Sequence, residues 1–130
     1  MANPNIVNVT SIYGESIAQA MTTTLTTVIM TVSSDVVLKV NSITATNTHA
    51  SNATAFSLSV TKAAFTSAGV ADGADNAGTF SIASTINIPS DDLLVVLDKP
   101  FYLMEGDVLK GGADPATCDL FISYEVINDA

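Results

Sequence analysis

The chain has no tryptophan and no arginine, and only one cysteine and one histidine, in 130 residues. Each shortage closes off a class of function. Its basic residues are the lysines 39, 62, 99 and 110, and thirteen carboxylates bring the formal net charge to −9. Such a chain repels phosphates and lacks the guanidinium fork that reads bases and phosphates, so no nucleic-acid partner is expected. Cys118 alone cannot form an internal disulfide, and with His49 alone it cannot close a structural zinc site. Charged residues are scarce too, at 13%, and residues 16–34 carry none. That stretch is long enough to cross a bilayer, but six threonines and three serines interrupt it. Burying their hydroxyls in hydrocarbon without partners is costly, so no membrane partner is expected. The opening MANPNIVNVT has neither a basic segment nor an apolar core, so no secretory signal is expected and synthesis in a cytoplasm follows.

What remains is 48% hydrophobic residues in a length that suits one domain. Their spacing is that of strands. Phe56, Leu58 and Val60 alternate with Ser57, Ser59 and Thr61. The same period of two runs through Phe80, Ile82, Ile86 and Ile88, and through Cys118, Leu120, Ile122, Tyr124 and Val126. Val36, Leu38 and Val40 share one parity while Ile43 and Ala45 take the other, which predicts a β-bulge near Asn41 and Ser42. Leu93 to Leu97 is apolar on both parities, as in a central strand covered on both faces. Residues 5–13 and 25–33 read as weaker strands, and Glu15 to Met21 is the one segment with a helical character. Polar and glycine-rich punctuation leaves connections too short for helical crossovers. The fold class is therefore all-β, an antiparallel sandwich of jelly-roll or immunoglobulin type with seven or eight strands.

The residues that could carry chemistry read more simply as structure. His49 falls in a polar loop with no partner nucleophile, and Cys118 falls on the inward parity of the last strand. Asp91 and Asp92 are adjacent and suit a turn better than a catalytic pair. The loop GVADGADNAG at 69–78 has oxygen ligands but not the spacing of a calcium loop, and Gly106 and Gly111–Gly112 lie outside any phosphate-binding context. No catalytic residue, cofactor or metal site is expected. The candidate residues are instead apolar ones without an obvious cover: Ile6, Val7 and Val9 on both parities of the N-terminal strand, Tyr13 after them, and Phe121 and Ile127 on the outward parity of the last strand.

One set of residues adds a resemblance. The opening Asn3 to Gly14, the run Ile82 to Thr85 through Ile88–Pro89, Leu94 to Lys99, the hairpin Tyr102 to Asp107 and the closing Ser123–Tyr124–Glu125 together are similar to small virion structural proteins of marine tailed bacteriophages. The resemblance covers residues 1–14 and the stretch from 81 to 130, and departs from the pattern at Glu15 to Met21 and Ala68 to Gly78. It implies a viral β-sandwich subunit in many copies on the particle, decorating or cementing the capsid without catalysis. Its partners would be the major capsid protein or other virion proteins and further copies of itself, as a homo-oligomer. The expected organisation is an N-terminal interaction arm at 1–14 and a single sandwich domain at 15–130. A tail, neck or fibre position, or a carbohydrate-binding adhesin module, is the alternative.

Overall fold

The computed structural model describes residues 10–64 and 77–128, and they form nine β-strands and no helix. These are β1 (Ser11–Ala20), β2 (Val28–Thr31), β3 (Val36–Asn47), β4 (Thr54–Lys62), β5 (Gly78–Ile88), β6 (Leu93–Leu97), β7 (Phe101–Leu103), β8 (Val108–Asp114) and β9 (Cys118–Asn128). Two antiparallel sheets pack face to face. One has the order β1-β9-β3-β6, with β7 also on β3, and the other the order β2-β8-β4-β5.

The pairs β1·β9, β2·β8, β3 with β6 and β7, and β4·β5 are nested, as when one long hairpin is rolled up. This is the jelly-roll order. It separates the chain from the immunoglobulin arrangement, whose first two strands are neighbours, because β1 and β2 lie in different sheets. The ninth strand arises from a break: β6 and β7 both lie along β3, one opposite Ile43 to Thr46 and the other opposite Leu38 to Val40, with Asp98, Lys99 and Pro100 between them. Proline cannot donate to a ladder, so the strand divides there.

Inward-facing residues of both sheets make one core. Val40, Ile43, Ala45, Leu120 and Ile122 from the first sheet meet Phe56, Leu58, Leu109 and Ala113 from the second, all essentially inaccessible to water. The parity change in β3 is accommodated by a register shift between Val40 and Ser42, where the bulge was expected.

Four sequence expectations need correction. Glu15 to Met21 is not helical: Glu15 to Ala20 continue β1, which pairs residue for residue with β9 from Ser11 opposite Asn128 to Ala20 opposite Asp119. Pairing with a long strand outweighs the marginal stability of so short a helix. The expected boundary between residues 14 and 15 thus falls inside β1, and the described part of the N-terminal strand begins at Ser11. The expected strand at 25–33 shrinks to β2, and in the loop before it, from Met21 to Thr27, the carbonyls of Thr22 and Thr27 accept from the Ala113 and Gly111 amides of β8. Leu93 to Leu97 is not central and covered on both faces but an edge strand, and Leu93 and Val95 are exposed on the outer face of its sheet. Finally, β5 does not keep a simple alternation. Two register shifts and a positive φ at Thr85 bring Ala83 and Ile88 into the core and leave Phe80 and Ile86 exposed. Most of the loop at 69–78 lies outside the described residues.

Two buried polar residues fasten the ends of the sandwich. At one end Asn47 is fully buried, donating from Nδ2 to the carbonyls of Asn52, Ile88 and Pro89 and accepting at Oδ1 from the His49 amide and the Thr117 hydroxyl. At the other end Asp107 is buried in the turn Glu105–Gly106–Asp107. Its Oδ2 lies 2.6 Å from Lys62 Nζ and accepts from the Met104 amide, while Oδ1 accepts from Ala63. Across that turn, Glu105 accepts from the Asp35 amide and so ties the β2–β3 turn to the β7–β8 turn.

Candidate interaction surface

Register places the exposed apolar residues. On the outer face of the β1-β9-β3-β6 sheet, Ala18, Phe121, Thr44 and Val95 lie in one cross-strand row, and Ala20, Asp119, Thr46 and Leu93 in the next. Phe121 is 50% exposed, and Val95 and Leu93 are exposed beside it. Asp119 is the one charge in these two rows. Further along the same face, Glu125 and Lys39 make a loose ion pair at 3.7 Å and are followed by the exposed Tyr102 opposite Lys39. One end of this sheet is therefore an apolar and hydroxyl patch, and the other end is polar.

The residues singled out from the sequence are divided by the structure. Phe121 faces outward as its parity predicts, and it stays half exposed among the described residues. Ile127 has the same parity but is only 7% exposed, which corrects the expectation that it is free. Register sets it between Ile12 of β1 on one side and Val37 of β3 on the other. Tyr13 belongs to the opposite face of β1. It is half exposed in a cleft of about 370 Å³ at the open side of the sandwich, together with Glu15, Ser33, Ser34, Tyr124 and Asn128. Ile6, Val7 and Val9 lie outside the described residues. Sequence reasoning missed Leu93 and Val95 because a strand apolar on both parities reads as covered on both faces, whereas these two lie on the outer face of the sheet. It missed Phe80, which with Ile82, Leu97, Phe101 and Tyr102 lines an apolar cleft of about 390 Å³ on the other open side, because the β5 bulges are not visible in its pattern.

The potential chemical groups are committed to structure. His49 Nδ1 accepts from the Ser51 and Asn52 amides, closing a turn. Asp92 caps the start of β6 by accepting from the Leu93 amide, and Asp91 holds a positive φ in the same turn. Among the described residues no group of three histidine, cysteine or acidic side chains is placed to hold a metal. Cys118 is buried in the core, and burial with the nearby Asp119 charge pushes its thiol up to about 11. Burial also pushes the Tyr124 phenol up to about 12, helped by its 2.8 Å hydrogen bond to Glu15 Oε2 and by that carboxylate's charge.

Both groups hold their protons more tightly folded than unfolded. Their contribution to stability is complete below the ordinary values of 9.0 and 10.0, and is lost as pH rises through about 11 for Cys118 and about 12 for Tyr124. Melting temperature should therefore fall from pH 9 to 12. The fall should be shallower in Tyr124→Phe and in Cys118→Ala than in the parent. Parallel profiles for all three proteins would show that neither ionisation is linked to folding.

Comparison with known proteins finds no match among family models, curated proteins or solved structures.

Proposed function

We propose that this chain is a non-enzymatic structural subunit of a virus particle, a decoration or cement protein laid in many copies on a tailed-phage capsid. It would be made in the host cytoplasm and end in the virion, with the major capsid protein or another virion protein beneath it and copies of itself beside it. The observation that carries the reading is the half-exposed Phe121 with Val95 and Leu93 on an almost uncharged end of the outer sheet face. A free monomer gains nothing from such a patch, whereas a lattice subunit uses it as a contact. The jelly-roll order supports the reading in a general way, since shell and lectin domains share it, although fold alone does not determine function. The ordered motifs from Asn3 to Glu125 that are similar to small phage virion proteins point in the same direction.

Burying a phenylalanine side chain is worth about 1.5–3 kcal/mol, against about 0–1 kcal/mol for an exposed ion pair. Phe121→Ser should thus weaken particle binding roughly 10- to 100-fold while leaving the melting temperature of the free subunit nearly unchanged. Raising salt should strip little of the parent protein. Quantitative mass spectrometry of purified particles checks both expectations. Hundreds of copies place the chain on the head, and a dozen or fewer place it in the neck, tail or fibre. Stripping by salt alone, with Phe121→Ser retained, would make the acidic surface the contact and overturn the proposal.

A second reading, a carbohydrate-binding adhesin module, is favoured by the cleft holding Tyr13 and Glu15. An aromatic ring beside a carboxylate and serine hydroxyls offers a sugar both stacking and hydrogen bonds. Glycan-array binding that disappears in Tyr13→Ala would select it.

A further inference from the structure

The two sheets have four outer edges: β1 and β6 with β7 in one, β2 and β5 in the other. Three of them are blunted. β2 is four residues long with a register shift between Val28 and Met30. β5 carries two shifts and the positive φ of Thr85. The β6 and β7 edge is split at Pro100 and bulged opposite Ile43 and Thr44. Short length, bulges and proline are the devices that keep sheet edges from pairing with other chains.

β1 has none of them. It pairs ten consecutive residues with β9 without a shift, contains no proline and has Glu15 as its one charge. Met21 donates to the Cys118 carbonyl in the same register, so odd-numbered residues bond β9. By the alternation of an antiparallel ladder, residues 12, 14, 16, 18 and 20 turn their N–H and C=O groups to the open side. Their side chains, Ile12, Gly14, Ser16, Ala18 and Ala20, are uncharged and mostly small.

We infer that β1 is an assembly edge at which two copies of this chain pair antiparallel about a two-fold axis beside Ser16. The inference rests on the homo-oligomer expected of a shell subunit and names the contact. With Ser16 opposite Ser16 of the partner subunit, Gly14 meets Ala18 of the partner subunit and Ile12 meets Ala20 of the partner subunit. This register keeps the full overlap and supplies on the order of ten backbone hydrogen bonds. It also sets Glu15 opposite Ile17 of the partner subunit, so no carboxylate faces another across the axis. It partly covers Ile12, which is 56% exposed in the single chain. The self-complementarity of the strand is what selects a second copy as the occupant.

The test uses Ser16→Cys and Ser16→Pro in the full chain, with Ser84→Cys on the exposed bulge of β5 as a control. A hydrogen-bonded antiparallel pair sets Cα atoms about 5.5 Å apart, within disulfide range. Mild oxidation should therefore convert Ser16→Cys to a covalent dimer many-fold faster than Ser84→Cys. The parent should sediment as a dimer at micromolar concentration. Ser16→Pro, which removes a donor that β9 does not use, should sediment as a folded monomer with the parent's circular dichroism. Cross-linking equal to the control, a monomeric parent, or a dimer that survives in folded Ser16→Pro would each overturn the inference. If Ser16→Pro does not fold, Ser16→Lys takes its place, since it sets two like charges at the axis and leaves the backbone unchanged. Particle occupancy is measured separately: a monomeric parent that still loads particles overturns the β1 pairing and leaves the virion reading standing, whereas a dimer that never loads overturns the virion reading alone.

Discussion

Asn47→Asp should lower the melting temperature by roughly 10–20 °C, the largest effect expected of any isosteric change in this protein. Asn47 Nδ2 lies 2.8, 3.0 and 3.1 Å from the carbonyl oxygens of Asn52, Ile88 and Pro89, in a site with no access to water. A carboxylate there replaces a donor with an acceptor facing three acceptors. It also puts an unpaired charge in the interior, for which a cost of about 3–5 kcal/mol is typical. Overall stability of a domain this size is about 5–15 kcal/mol, so the variant is left near the margin. Acid offers a check on the mechanism. Protonation returns an O–H donor to the site, so the deficit relative to the parent at the same pH should shrink as pH falls. Thr117→Val removes one donor to Oδ1 and should cost only about 1 kcal/mol. A pH-independent deficit in Asn47→Asp would point to packing instead of the reversed dipole.

Asp107→Ala should cost a similar amount, about 3–5 kcal/mol, and Lys62→Met distinctly less. The asymmetry comes from what each change strands. Removing the carboxylate leaves the Met104 and Ala63 amides without their acceptor and takes away the 2.6 Å contact to Lys62. Removing the lysine leaves Asp107 with both amide donors, and the lysine side chain is the more exposed of the pair, at 21% against 1%. Chemical denaturation of the two variants and the double variant measures the coupling. Equal costs for the single variants would mean that the ion pair, and not the amide cage, holds the turn. Because this turn joins β7 to β8 and receives Val32 through the Asp107 carbonyl and the Gly106 amide, loosening it should also expose the apolar cleft beneath Tyr102.

How far the sequence could be read depended on whether a strand kept its period. β4 alternates through Val60 and β9 as far as Val126, so their buried positions there and the outward placement of Phe121 were legible residue by residue, while the buried Ile127 was not. The bulge in β3 was legible as well, because apolar residues on both sides of Asn41 announced a change of face. β5 deceived the same reading. Phe80, Ile82, Ile86 and Ile88 keep one parity in the sequence, but two bulges between them turn the chain, and nothing in the pattern marks their positions.

The candidate surface divides along the same line. Composition and alternation determined the all-β class, the antiparallel plan, the buried cysteine and one exposed phenylalanine, because these depend on each residue's own polarity and on a local repeat of two. Strand order was decided only in the tertiary structure. That order made Leu93 to Leu97 an edge instead of a centre, brought Val95 across Thr44 into the row of Phe121, and set Ile127 between Ile12 and Val37. Whether an apolar side chain is buried depends on which strand lies beside it and which sheet lies above it, and those neighbours come from distant parts of the chain that a local pattern does not encode.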